Sequence, residues 1–214
     1  MSNLRSDSSA RLGASTAGVF GEVMGLVALT VGFCALGAYI GRDIAGGLGL
    51  LFFILGFVCI FGLNATRESA GPSIGLLMAL GLFLGLGLGG MLSDYASADP
   101  GVVWQAALAT ALFVAGLGSL GYAISADLSP AYRVLLFLLL GLIVFGIITL
   151  FASMPGGNVI YAVLGLVIFG GYVVVDFNRM RRAGMDEAVP LAAGIFLDIV
   201  NVFTFFLQLF GRRD

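Results

Sequence analysis

The chain alternates long apolar runs with short polar breaks. Seven runs stand out, at about 19–40, 48–63, 72–92, 102–124, 132–151, 159 to just past Asp176, and 189–210. A helix crossing a bilayer needs about 20 apolar residues, and each run approaches or exceeds that length. The breaks are Arg42-Asp43, residues 64–71, the acidic stretch 93–101, Asp127-Leu128-Ser129-Pro130, Met154-Pro155-Gly156-Gly157 and a polar stretch around Glu187. The pattern predicts an all-α, polytopic membrane protein with seven spans. The connections are short, so sequential neighbours should form antiparallel hairpins. Residues 1–18 are polar and Ser-rich and are expected to be a disordered tail. They lack the charged, apolar and cleavage regions of a signal peptide in order. Residues 19–214 read as one membrane domain.

Composition strengthens this picture. The chain is 60% hydrophobic and 10% charged, where soluble domains carry about a quarter charged residues. Its basic residues are all Arg, and it has no His. That excludes His-dependent zinc sites, Ser-His dyads and His-based pH sensing. A net charge of −2 offers no basic footprint, so nucleic acid is not an expected partner. Cys34 and Cys59 lie in separate apolar runs and read as packing residues. The third run carries Gly81, Gly85, Gly87, Gly89 and Gly90. Inside an apolar span, such glycines point to close helix packing rather than to a nucleotide loop, which needs a preceding strand.

Arginine placement sets the expected orientation. Arg5, Arg11, Arg67, Arg133, Arg179, Arg181 and Arg182 fall on one side of a seven-span layout; Arg42, Arg212 and Arg213 fall on the other. The richer side is expected to be cytoplasmic, with the N-terminus. A re-entrant last run would move Arg212 and Arg213 inside, but 189–210 is long enough to span. Asn64-Ala65-Thr66 matches a glycosylation acceptor but sits hard against a membrane end on the cytoplasmic side, so it is discounted.

Ionisable residues within spans are costly and mark function by default. Glu22 lies a few residues into the first run, within reach of the interface by snorkelling. Asp176 and Asp198 lie deeper. Their midpoint falls at Glu187, in the one polar stretch between them. A hairpin folded there would set the two carboxylates side by side, about 16 Å along each helix and within about 3 Å of each other. Two carboxylates in contact in a low-dielectric medium cannot both ionise cheaply, so the expected resting state is a shared proton and joint titration. The same oxygens are hard ligands suited to Ca²⁺, in competition with the proton. Arg67 is the nearest cation by depth. The bland alternative is that each aspartate caps a helix or pairs with Arg179, Arg181 or Arg182.

Val175-Asp176-Phe177-Asn178-Arg179-Met180, followed by Phe196-Leu197-Asp198-Ile199-Val200-Asn201-Val202-Phe203, resembles the last two spans of the transmembrane Bax inhibitor motif proteins, also called the Bax-inhibitor-1-like family. The pattern there is an Asp with a following amide, a short basic loop, then Asp-x-x-Asn/Thr-x-Phe. The layout agrees along the whole chain; specific matches run from Asp176 to Phe210. The resemblance, to a prokaryotic-type member, implies a seven-helix bundle with the last helix central, in the plasma membrane. It implies a pH-sensitive Ca²⁺ leak with Asp176 and Asp198 as sensor and as calcium ligands, and Asn201 in support. In some members an arginine at the end of the second span latches the aspartates; Arg67 is the residue nearest that place. Bacterial members are also linked to membrane quality-control proteases, which leaves a modulator or binding partner of such proteases as an alternative.

Other readings are weaker. Intramembrane aspartyl proteases resemble Tyr-Asp plus Gly-x-Gly-Asp, and neither pattern is present, so no enzyme is expected. A proton-coupled transporter often shows internal repeats and broken helices, and no clear repeat is visible. No cofactor is expected; calcium enters as a permeant or regulatory ion. The partners expected are the lipid bilayer, calcium ions and protons.

Overall fold

A computed structural model describes residues 2–44, 47–66, 69–152 and 156–211, without the side chains of residues 2–17, 70, 150 and 152. The chain is all-α, with seven helices long and apolar enough to cross a membrane and no strand among the described residues. They are α1 (Ser2–Ile40), α2 (Gly47–Ala65), α3 (Ala70–Ala98), α4 (Pro100–Ala123), α5 (Ala131–Ala152), α6 (Gly157–Met180) and α7 (Ala188–Phe210). Phe61, Phe137, Phe151 and Val167 are among many large apolar side chains left exposed. Such surface is untenable in water and fits hydrocarbon, so the protein is a multi-pass integral membrane protein. α7 is the most enclosed span, with 44% of its apolar window buried, and α5 the least, with 11%.

Three boundaries differ from the sequence pattern. α1 extends back through the polar stretch expected to be a tail, whose side chains lie outside the described residues. α3 continues through Ser93–Ala98, where a loop is expected. Its extra turns are held by Met91, Leu92 and Tyr95, which pack with Val102, Ala106 and Leu207. The connection to α4 is then Asp99 alone, which accepts a hydrogen bond from the Gly101 amide at 2.8 Å ahead of a Pro at the first helical position. Trp104, four residues further on, is 79% exposed. Finally, α3 starts two residues before Pro72, which its first turn tolerates because the missing N–H has no intrahelical partner there.

The described residues form two compact units. Residues 1–90 and 180–194 make the first. Its main feature is the crossing of α1 and α3. Gly81 lies against the Thr30 carbonyl, Gly85 against the Cys34 carbonyl and Ala38 amide, and Gly89 against Ala38 and Gly41. Steps of four residues on both helices keep these positions on one face, so two backbones meet where any side chain would separate them. Leu77, Leu80, Leu84, Val23 and Val27 fill the surrounding core. Cys34 and Cys59 are free thiols. Ser73 donates to the Thr66 carbonyl at 2.7 Å and ties the α2–α3 connection.

Residues 91–179 and 195–214 make the second unit. Here the core is aromatic. Ala162, Ile168, Phe169, Val202 and Phe205 pack with Leu142. Phe113 meets Phe206 edge-on at 5.6 Å, and Tyr161 meets Phe205 likewise at 5.6 Å. Gly165 lies under the Phe205 ring, and Gly118 under the Phe177 ring.

Candidate functional site

α6 ends in Val173-Val174-Val175-Asp176-Phe177-Asn178-Arg179-Met180, which sets two polar side chains into an apolar helix. Both are buried: Asp176 is 2% exposed and Asn178 is 0%. On α7, Asp198 is 4% exposed. The carboxyls of Asp176 and Asp198 lie close together, within reach of a hydrogen bond. A carboxylate has no hydrogen to give, so a hydrogen bond between them would require a proton on one. The remaining oxygens, Asp176 Oδ1 and Asp198 Oδ2, are buried with no hydrogen-bond partner among the described residues.

The pair does not meet by lying equally far from the turn. α6 ends at Met180, four residues after Asp176, and α7 begins at Ala188, ten residues before Asp198. Along the helices these are about 6 Å and about 15 Å. Between them lie four irregular residues and a 3-10 turn, Met185–Glu187. Asp176 is therefore closer to its helix end than a turn centred on Glu187 implies.

The other expected residues fall elsewhere. Asn201 donates to the Leu197 carbonyl at 2.7 Å, within its own helix, and not to either aspartate. Glu22 is exposed on α1, in the first unit. Arg67 lies outside the described residues. Arg179 is one turn beyond Asp176, with its guanidinium 5.1 Å from the centre of the Tyr132 ring. Neither aspartate caps a helix end, and neither forms an ion pair among the described residues.

One residue emerges that spacing does not single out as more than part of a motif. The two hydrogens of the Asn178 amide are shared among the carbonyls of Gly121 (3.2 Å), Ile124 (2.8 Å) and Ala126 (3.1 Å), and its oxygen accepts from the Leu128 amide (3.0 Å). A signal was present: an amide in an apolar helix must find partners or carry a desolvation cost.

Chemically, the pair can hold and release a proton. Two unit charges about 4 Å apart at an effective dielectric of about 20 repel by about 4 kcal/mol, several times the net worth of one hydrogen bond. Repulsion of that size would favour a local shift of the helices or the entry of water or a cation if both groups ionised. A resident metal is a poorer fit. Ca²⁺ takes six to eight oxygens, and no cluster of three or more acidic, Cys or His side chains occurs among the described residues.

Comparison with known proteins bears on the whole chain. Residues 16–214 match the family model described as inhibitor of apoptosis-promoting Bax1. An uncharacterized protein of Helicobacter pylori strain J99 is 31% identical over 164 residues, covering 75% of this chain and 70% of the relative. One from Chlamydia muridarum is 29% identical over 179 residues, covering 76% and 75%. An uncharacterized membrane protein of Streptococcus pyogenes serotype M1 is 25% identical over 176 residues, covering 78% and 74%.

Proposed function

The chain belongs to the Bax-inhibitor-1-like family, and on that premise we propose that it is a proton-controlled cation leak, with Ca²⁺ as the principal cargo and Asp176 and Asp198 as the control. The observation that carries this reading is the juxtaposition of two buried carboxyls, each with an oxygen left without a hydrogen-bond partner among the described residues. A protonated pair is held together and closed to cations. A deprotonated pair repels itself and attracts a divalent cation, so proton and Ca²⁺ compete. The sign follows: Ca²⁺ binds more weakly as pH falls, because protonation removes the charge that attracts it.

The reading also includes topology. We place the protein in the plasma membrane of a bacterium, with the N-terminus and Arg179, Arg181 and Arg182 in the cytoplasm, from the arginine bias. An impermeant thiol reagent should fail to label Gly184→Cys from outside intact cells, in a chain whose own cysteines are replaced. Labelling from outside would reverse the orientation.

Ca²⁺ flux into proteoliposomes as a function of pH tests the mechanism. Asp176→Asn and Asp198→Asn should each flatten the pH dependence, and the double variant should add little, because the two groups titrate as one unit. Wild-type pH profiles in both single variants would make the pair structural. Absence of flux from the purified wild-type protein at every pH would remove the leak reading itself.

A further inference from the structure

We propose that the groove between α4, α5 and α6 seats one acyl chain of an anionic phospholipid, whose headgroup is held at the groove's mouth by Arg179 and Arg133.

The groove lies wholly within the second unit. Its volume is about 600 Å³, and every residue lining it is apolar. Two consecutive glycines of α6 let its walls close on the backbone. A β-carbon at Gly170 would stand 3.0 Å from both Phe113 and Leu117 of α4, and one at Gly171 would stand 2.7 Å from Leu135 of α5. Val134 and Val167 also line the groove and are exposed, so it opens sideways to hydrocarbon. A polar ligand has nothing to bond there, whereas a hydrocarbon chain loses nothing by entering.

Its dimensions favour a single chain over a helix. On α6 the lining residues run from Val163 to Val175, about 18 Å along the axis. One leaflet of the hydrocarbon core is about 15 Å deep. A chain entering from the membrane surface at the Val175 end is thus accommodated along its length. Averaged over that length, the cavity is about 30 Å² in section. An α-helix with its side chains is about 10 Å across and needs about 80 Å². A partner helix could only rest on the lips of this groove; an acyl chain lies inside it.

Positive charge stands at one end only. In steps of four along α6, Val163, Val167, Gly171 and Val175 all line the groove, and Arg179 is the next position on that stripe. Its guanidinium lies 5.1 Å from the centre of the Tyr132 ring. Across the mouth, Leu128 and Ala131 line the groove, and Arg133 is exposed in the same first turn of α5. Neither arginine forms an ion pair among the described residues. The one acid of the α4–α5 connection, Asp127, accepts from the Ser129 amide at 2.9 Å, and Asp176, one turn before Arg179, is buried. From Val134 to Val175 the sequence holds no charged residue, and α4 starts at its far end behind Asp99. The surface end beside Val175 is therefore where a phosphate finds guanidinium partners, with an aromatic ring at the headgroup level.

The test is photolabelling of the full chain in phosphatidylcholine vesicles that hold a minority of phosphatidylglycerol with a diazirine on one chain, the adducts being mapped by peptide mass spectrometry. Adducts should concentrate at groove positions such as Leu117, Val167 and Val174 rather than on the exposed faces of α1 and α2. Unlabelled phosphatidylglycerol should compete them away, and added phosphatidylcholine should not. Arg179→Gln and Arg133→Gln should each lower groove labelling about fivefold, the worth of one arginine at a membrane surface. Ala131→Phe, which sets a ring in the mouth, should lower it with no change of charge; the arginine variants carry the test if that protein loses its helix content by circular dichroism. Labelling spread evenly over all lipid-facing helices overturns the proposal. So does groove labelling that both lipids compete equally, or that neither arginine variant lowers, since the groove then holds bulk lipid. A groove protected from label in the purified protein, while α1 and α2 are labelled, overturns it in favour of a second copy covering that face.

Discussion

Where α1 crosses α3, backbone meets backbone; where α6 meets α7, two buried carboxyls come together. The first contact is made by what is missing. Gly81, Gly85 and Gly89 bring α3 onto the carbonyls and amides of α1 with no side chain between. The contacts of that seam are made mainly by backbone atoms. The second contact is made by groups that should not be in a bilayer at all, Asp176 and Asp198, both buried, while Asn178 two residues on bonds the end of α4. Close glycine packing fixes one geometry. A carboxyl pair has two charge states and therefore two preferred geometries. On the proposed function, stiffness and switching would be carried by different chemistry in different units.

This contrast can be broken by substitution. The largest loss is expected from Gly85→Ala. The added methyl would run into the Cys34 carbonyl and stand 2.9 Å from the Ala38 amide, and backbone cannot step aside. A cost of about 3 kcal/mol is expected in reversible unfolding by detergent mixtures. Gly32→Ala, on the same helix as Cys34 but with nothing within 4 Å, should change stability by no more than about 1 kcal/mol, in the stabilising direction. Equal effects at both sites would mean that the seam is not the rigid element.

A smaller loss is expected from Gly165→Ala in the second unit. Its methyl meets the Phe205 ring, a side chain that can tilt. About 1 kcal/mol is expected in the same assay. A cost as large as that at Gly85 would show the aromatic core to be as unyielding as the glycine seam.

The smallest stability effect is expected from Asp176→Asn. The amide keeps the volume and can donate to Asp198, so the contact survives without its proton. A change within about 1 kcal/mol is expected at acidic pH, together with the flattened flux profile. A collapse of stability instead would mean that the pair serves folding first.

Much of this was legible in the chain. Long apolar runs fix the spans because a bilayer imposes length and composition together. The glycine stripe at Gly81, Gly85 and Gly89 was legible because its spacing is helical and its surroundings apolar. Asp176 and Asp198 were legible as a pair because buried charge is too costly to be accidental. The path that joins them was not: α6 stops at Met180, and the irregular residues up to Ala188 obey no periodicity. The continuation of α3 past Ser93 was hidden for a related reason. Its polar residues look like a loop, and only the packing of Tyr95 against residues distant in sequence holds them helical. Asn178 was least legible in role, since its side chain bonds backbone atoms at least 50 residues away.

Trp104 has a practical consequence. It is the single tryptophan of the chain, placed just inside the start of α4 and 79% exposed. Indole favours the headgroup level of a bilayer. Intrinsic emission from the unlabelled protein therefore comes from one site, and its colour reads the polarity at one depth. Thickening the bilayer with longer acyl chains, or quenching with lipids brominated at successive carbons, turns that residue into a ruler for how the α3–α4 end sits at the membrane surface.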